Sequence, residues 1–125
     1  MAIDVARTMA ELDELSRIGR TASGGVTRLG LTPENAAAKE LVARWMAEAG
    51  LSVRYDAAAN LIGRLGGEGP AIVLASHLDS VIDGGRFDGP LGVVVALEVA
   101  RLLAGRKSEL ARPLEVVAFS DEEGT

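Results

Sequence analysis

The chain has 125 residues, 48% of them hydrophobic and 25% charged, with a formal net charge of −5. That length and balance suit one domain with a sizeable apolar core, and an acidic surplus without a basic cluster argues against nucleic acid or an anionic membrane as partner. There is no cysteine, which excludes disulfides, thiolate metal sites and a cysteine nucleophile.

Aromatic residues make up only 3%, so the core must be built from Ala, Val, Leu and Ile, which favours layered α/β packing. Residues 3–18 read as a helix with Val5, Met9, Leu12 and Leu15 on its apolar face. The same stretch has early acids and lacks a basic-then-apolar pattern, and no apolar run is long enough for a bilayer, so the expectation is a cytoplasmic protein. "GRTASGGVTRLG" is small, polar and glycine-rich, and reads as a loop. "LTPENAAAKELVARWMAEAG" is a punctuated helix: Thr32 as N-cap, Pro33 at the first helical position, Gly50 past the end. Ala38, Leu41, Val42, Trp45 and Ala49 form its apolar face, with Trp45 anchoring the core.

"LSVRYD" and "ANLIGRLG" predict a hairpin. "AIVLAS" is a continuous apolar run, as expected of a strand covered on both faces in a parallel sheet. "GPLGVVVALEVARLLAG" predicts a buried helix on which Glu98 and Arg101 mark a narrow wet stripe, and "RPLEVVAFS" a second apolar strand. Strand, helix and strand over residues 71–120 make a βαβ unit with a right-handed crossover. In such sheets function gathers at the carboxyl ends of the strands. "SHLDS" leaves one strand and "SDEEGT" the other, so two distant clusters converge on one edge.

His77 is the chain's only histidine. In His-x-Asp on an extended segment both side chains point the same way, so Asp79 can hold one ring nitrogen and raise the basicity of the other, as metal-binding histidines require. The plainer reading is that Asp79 starts a turn. Asp88 precedes Gly89-Pro90 at a helix start, where an acid caps free N–H groups; a metal role is compatible with that place. Asp83 reads as a turn former. Asp121, Glu122 and Glu123 would repel one another at a sheet edge unless a cation lay between them, and adjacent glutamates can divide metal binding from proton transfer. Other chemistries fit poorly. There is no G-x-S-x-G elbow, no Lys-Ser/Thr of a phosphate loop and no dinucleotide fingerprint.

"SHLDSV", "GGRFDGPLGV" and "LEVVAFSDEEG", in that order, resemble the start of the metal-dependent amidohydrolases of the M20 peptidase superfamily. The branch they resemble is that of the N-carbamoyl-L-amino acid hydrolases, beside allantoate amidohydrolases and ureidopropionases. "GGVTRLGLTPENAAAKELVARWMAEAGLSVRYDAAANLIGR" is similar to the same branch, so the likeness runs along nearly the whole chain, and "GGRFDG" favours it over the true peptidases. The resemblance implies part of a zinc-peptidase-like catalytic domain, a mixed sheet with a parallel βαβ core and flanking helices. It implies His77, Asp88 and Glu123 as ligands of divalent metal, up to two ions of Zn, Mn, Co or Ni in the longer relatives. Asp79 would orient His77, and Glu122 would be the general base. The implied reaction is hydrolysis of a non-peptide C–N bond in a small N-carbamoyl amino acid or ureido substrate.

Family members are several times longer. Residues 1–125 correspond to the N-terminal, metal-binding part of the catalytic domain, with no counterpart of the lid and dimerisation domain, the later histidine ligands or the substrate-binding arginine. Three protein ligands predict weak single-metal binding, and exposed sheet edges predict self-association. The alternatives are a non-catalytic remnant that only folds or associates, and a hydrolase of allantoate or ureido compounds.

Overall fold

Asp4 opens the first helix, its carboxylate accepting the Arg7 amide at 2.9 Å. In the computed structural model, which describes residues 2–125, this helix is α1 (Val5–Arg17). Its buried face is Thr8, Glu11, Leu12, Leu15 and Ser16. Val5 and Met9 are exposed, contrary to the expected stripe. The reason is Glu11, which is buried because Arg101 grips it with two hydrogen bonds of 2.6 and 3.0 Å, so the inward face is rotated toward a paired charge.

The second helix, α2 (Pro33–Glu48), begins as its punctuation predicts. Thr32 accepts the Asn35 amide, Pro33 follows, and Gly50 takes φ +87° just beyond the end. Trp45 and Met46 are buried in the core. The expected hairpin forms from β1 (Ser52–Tyr55) and β2 (Leu61–Leu65), paired antiparallel. Then come β3 (Ile72–His77), α3 (Pro90–Ala104) and β4 (Leu114–Phe119). The sheet order is β1-β2-β4-β3, with β2 antiparallel and β3 parallel to β4. The expected α/β fold with a parallel βαβ core and flanking helices is therefore present.

Leu61 and Leu65 of β2 and Leu114, Val116 and Ala118 of β4 join residues of all three helices in one core. Alternate residues turn to the opposite face, where Arg54 and Arg64 pair with Glu115. Two expectations need correction. β3 is an edge strand, and Ile72 and Val73 are half exposed rather than covered on both faces. Glu98 is not wet: it is fully buried, accepting from the Asp4 amide at 2.9 Å and from Arg7 at 2.8–3.1 Å, with Arg101 beside it at 3.5 Å. A carboxylate so fully bonded can leave water. No helix among the described residues is long and apolar enough to cross a membrane.

Candidate metal centre

β3 and β4 are adjacent and parallel, and His77 lies in register with Phe119. The segments leaving them therefore emerge side by side at the carboxyl edge. His77 is buried at the end of β3. Its Nδ1 lies 3.0 Å from the main-chain oxygen of Asp79 and 3.5 Å from Asp79 Oδ1. A carbonyl oxygen only accepts, so Nδ1 is the donor, and in a neutral ring that leaves the lone pair on Nε2. Nε2 faces Asp88 Oδ1 at 3.7 Å and Glu122 Oε2 at 3.6 Å. These distances are too long for hydrogen bonds. A lone pair facing two carboxylates is repulsive unless positive charge lies between them.

His77, Asp88 and Glu123 each bring one ligand atom to a common place, all within 4.8 Å of one another. Side-chain rotation can close that span to metal bonds of about 2 Å. Asp88 has the freedom to do so, since its side chain is 77% exposed. Nor is it engaged as a cap: the N-cap of α3 is Gly89, with no side-chain hydrogen bond. One imidazole with two carboxylates is a donor set suited to a borderline divalent cation. Asp79 supplies a second sign of fit. It is fully buried, its Oδ2 accepts the Glu123 amide at 2.9 Å, and its Oδ1 has no hydrogen-bond partner. It thus touches both strand exits. The contact that holds the His77 ring is the main-chain oxygen of Asp79, not its carboxylate, which lies 3.5 Å away without a hydrogen bond to the ring.

Local backbone devices hold these groups. Asp121 takes φ +52°, a left-handed conformation costly for a residue with a side chain, and it redirects the chain so that Glu122 and Glu123 follow the strand end. Gly30 makes room for it: a Cβ there would lie 2.8 Å from Asp121 Cα. Asp83 behaves as the turn former expected, at φ +51°, accepting the hydroxyls of Thr21 and Ser23. Those bonds hold its carboxyl below the usual range and tie the "TASGG" loop down.

Two residues near this site escape a reading of the motifs. Arg28 and Lys39 are 2% and 4% exposed. Burial pulls the Arg28 guanidinium down to about 10, against the opposing pull of Asp79. Burial likewise lowers Lys39, opposed first by Asp79 and then by Asp56. A signal for Lys39 existed: it stands on the inward stripe of α2 with Asn35, Ala38, Val42 and Met46. Arg28 sits in an irregular loop, where no periodicity marks burial.

Comparison with known proteins bears on the same residues. The model of peptidase family M28 matches residues 60–125, which include every residue of the metal-capable cluster. An N-carbamoyl-L-amino acid amidohydrolase of Geobacillus stearothermophilus is 51% identical over 121 residues, 94% of this chain and 30% of that protein. Allantoate deiminase 1 of Glycine max is 40% identical over 121 residues, 93% of this chain and 25% of that protein. Among solved structures, a hydantoinase/carbamoylase family amidase from Burkholderia ambifaria superposes with a TM-score of 0.90 at 41% identity, covering 98% of this chain and 31% of that one. The chain spans about 30% of the length of the carbamoylase relatives it matches.

Proposed function

The chain belongs to peptidase family M28, and from that premise we propose that it is the metal-binding part of a hydrolase acting on non-peptide C–N bonds of small linear amides, N-carbamoyl-L-amino acids foremost. The observation that carries this reading is the convergence of His77, Asp88 and Glu123, with the Glu122 carboxylate 3.6 Å from His77 Nε2. The 51% and 41% identities to a carbamoylase and a carbamoylase-family amidase support the substrate class. We take residues 1–125 as the first part of the catalytic domain.

In this reading His77, Asp88 and Glu123 hold a divalent cation, with zinc, manganese, cobalt and nickel all compatible. Such an ion, when bound, makes its water acidic and polarises a substrate carbonyl. Asp79 keeps the proton of His77 on Nδ1 and so leaves Nε2 free to bind. Glu122, 53% exposed and beside that nitrogen, takes a proton from the attacking water and returns it to the departing nitrogen. Water adds to the carbonyl carbon, the C–N bond breaks, and nitrogen leaves as ammonia or an amine. The exposed edge of β3 supports self-association.

The test has two parts. The chain purified without chelator should contain divalent metal, and the His77→Ala variant should not; equal content in both overturns the centre. A chimera carrying this chain in place of the matching segment of the Geobacillus relative should release ammonia from N-carbamoyl-L-amino acids faster than from allantoate. A folded, metal-loaded chimera that spares both overturns the reaction class, and one that prefers allantoate moves the reading to the deiminase relatives.

A further inference from the structure

Behind the acidic cluster stand the two buried cations. Arg28 Nε donates to the Leu78 carbonyl at 2.6 Å, and one terminal nitrogen donates to the carbonyls of Leu15 at 2.8 Å and Ile18 at 2.9 Å. Its main chain joins in: the Arg28 amide donates to Ser80 Oγ and the Ser80 amide to the Arg28 carbonyl, both at 2.9 Å. One residue therefore ties the C-terminal end of α1 to the segment on either side of Asp79. Helix capping alone would need only the Leu15 and Ile18 bonds; the reach to Leu78 is additional.

Lys39 does the same at the other strand. Its Nζ donates to Ser120 Oγ at 2.5 Å and to the Ala59 carbonyl at 2.8 Å, while the Ser120 amide donates to Asn60 Oδ1 at 2.8 Å. Ser120 immediately precedes Asp121, Glu122 and Glu123. Between the two anchored points lies Asp79, touching His77 on one side and the Glu123 amide on the other. Both cations feel the Asp79 charge. Burying a cation is costly unless it is bonded and balanced; here carbonyls and the Ser120 hydroxyl supply the bonds, and Asp79 supplies the opposing charge.

We propose that Arg28 and Lys39 are positioning residues of the metal centre, each clamping one ligand-bearing strand exit, so that together they set the separation of His77 from Glu123. The inference rests on the reading of His77, Asp88 and Glu123 as metal ligands. It adds that the ligand geometry is held from the helix side, by groups that touch neither metal nor substrate. An arginine is suited to the first position because its planar fork donates from two separated nitrogens, Nε to Leu78 and a terminal nitrogen to Leu15 and Ile18, where an ammonium donates from a single atom.

The test uses the whole chain and Co²⁺ as the probe. Calorimetry gives affinity, visible absorption gives coordination geometry, and ¹⁵N shifts of the single histidine give its tautomer without metal. Arg28→Met and Lys39→Met should each weaken Co²⁺ binding about 10–100-fold and alter the cobalt spectrum. Arg28→Met should also lose the Nδ1–H preference of His77, and Arg28→Lys should restore only part of the affinity. Where a methionine variant fails to fold, Ser80→Ala and Ser120→Ala remove only the hydroxyls in the two clamps, and smaller losses of affinity in the same direction are expected. Folded variants that bind Co²⁺ as the parent does, with unchanged spectrum and tautomer, overturn the proposal and leave the two cations a purely structural role. A parent chain that takes up no Co²⁺ overturns the metal centre instead, and the His77 tautomer still decides for or against the Arg28 clamp.

Discussion

Gly89 lies against the ring of His77 so closely that a Cβ on it would come within 2.6 Å of both Nδ1 and Cε1. It also takes φ +88°. The absence of a side chain at position 89 is therefore what lets the imidazole lie beneath the start of α3. Gly89→Ala should push the ring away from Asp79 and strain the backbone, costing about 1–3 kcal/mol. Thermal unfolding measures the strain, and loss of Co²⁺ binding in the remaining folded protein measures the displacement. Unchanged binding would show that the ring position is not set by this contact.

The adjacent glutamates should separate in function. Glu123→Gln should lose metal affinity by at least tenfold, since it removes one of three ligand groups. Glu122→Gln should retain the metal and, in the chimera, lose turnover by about 10²–10⁴-fold, the usual worth of a general base. Metal titration beside ammonia release separates the two. Reversed outcomes would exchange their roles.

Glu98 predicts a pH dependence of stability unrelated to the metal. Burial pushes its carboxyl up, but the Asp4 amide and Arg7, with help from Arg101, more than offset this, leaving it below its ordinary value. A carboxyl depressed in the folded state contributes stability that is full above its unfolded value and is lost as pH falls through the folded one. Urea unfolding should therefore find Glu98→Gln less stable by about 1–3 kcal/mol at neutral pH, with the gap to the parent narrowing on acidification below the ordinary glutamate range. A gap independent of pH would mean that Glu98 contributes by shape alone.

The edge of β3 predicts association. Ile72 and Val73 are half exposed on a strand with a free side. Val73→Lys should reduce self-association in sedimentation velocity while changing stability by no more than about 0.5 kcal/mol. Identical profiles for parent and variant would remove this edge as the contact.

Much of the arrangement was legible because it depends on local rules. Thr32-Pro33 and Gly50 bound α2 by capping chemistry alone. The meeting of His77 with Glu123 follows from a parallel βαβ unit, which places both strand ends on one edge whatever the intervening sequence. What could not be read depended on partners far along the chain. Glu98 is buried only because Arg7, 91 positions earlier, closes over it. Val5 and Met9 lie outside because Glu11 finds Arg101 and takes the inward place. An apolar run such as β3 states its preference for cover but not whether a neighbour supplies it. Arg28 and Lys39 carry the same lesson: each is inside because carbonyls and a hydroxyl far along the chain receive its donors, and composition does not reveal them.

The side-by-side exit of β3 and β4 has a consequence for how such a centre can change. Neighbouring strands are held about 4.8 Å apart by main-chain bonding, a distance indifferent to which side chains the strands bear. The spacing of the two strand ends beneath His77 and the Glu122–Glu123 tip is thereby inherited from the peptide backbone, with the Arg28 and Lys39 clamps acting on the exits beyond it, while Asp88 arrives on a separate glycine-flanked loop. Remodelling that loop is thus the freer route to a different ion preference, since it leaves the sheet register untouched.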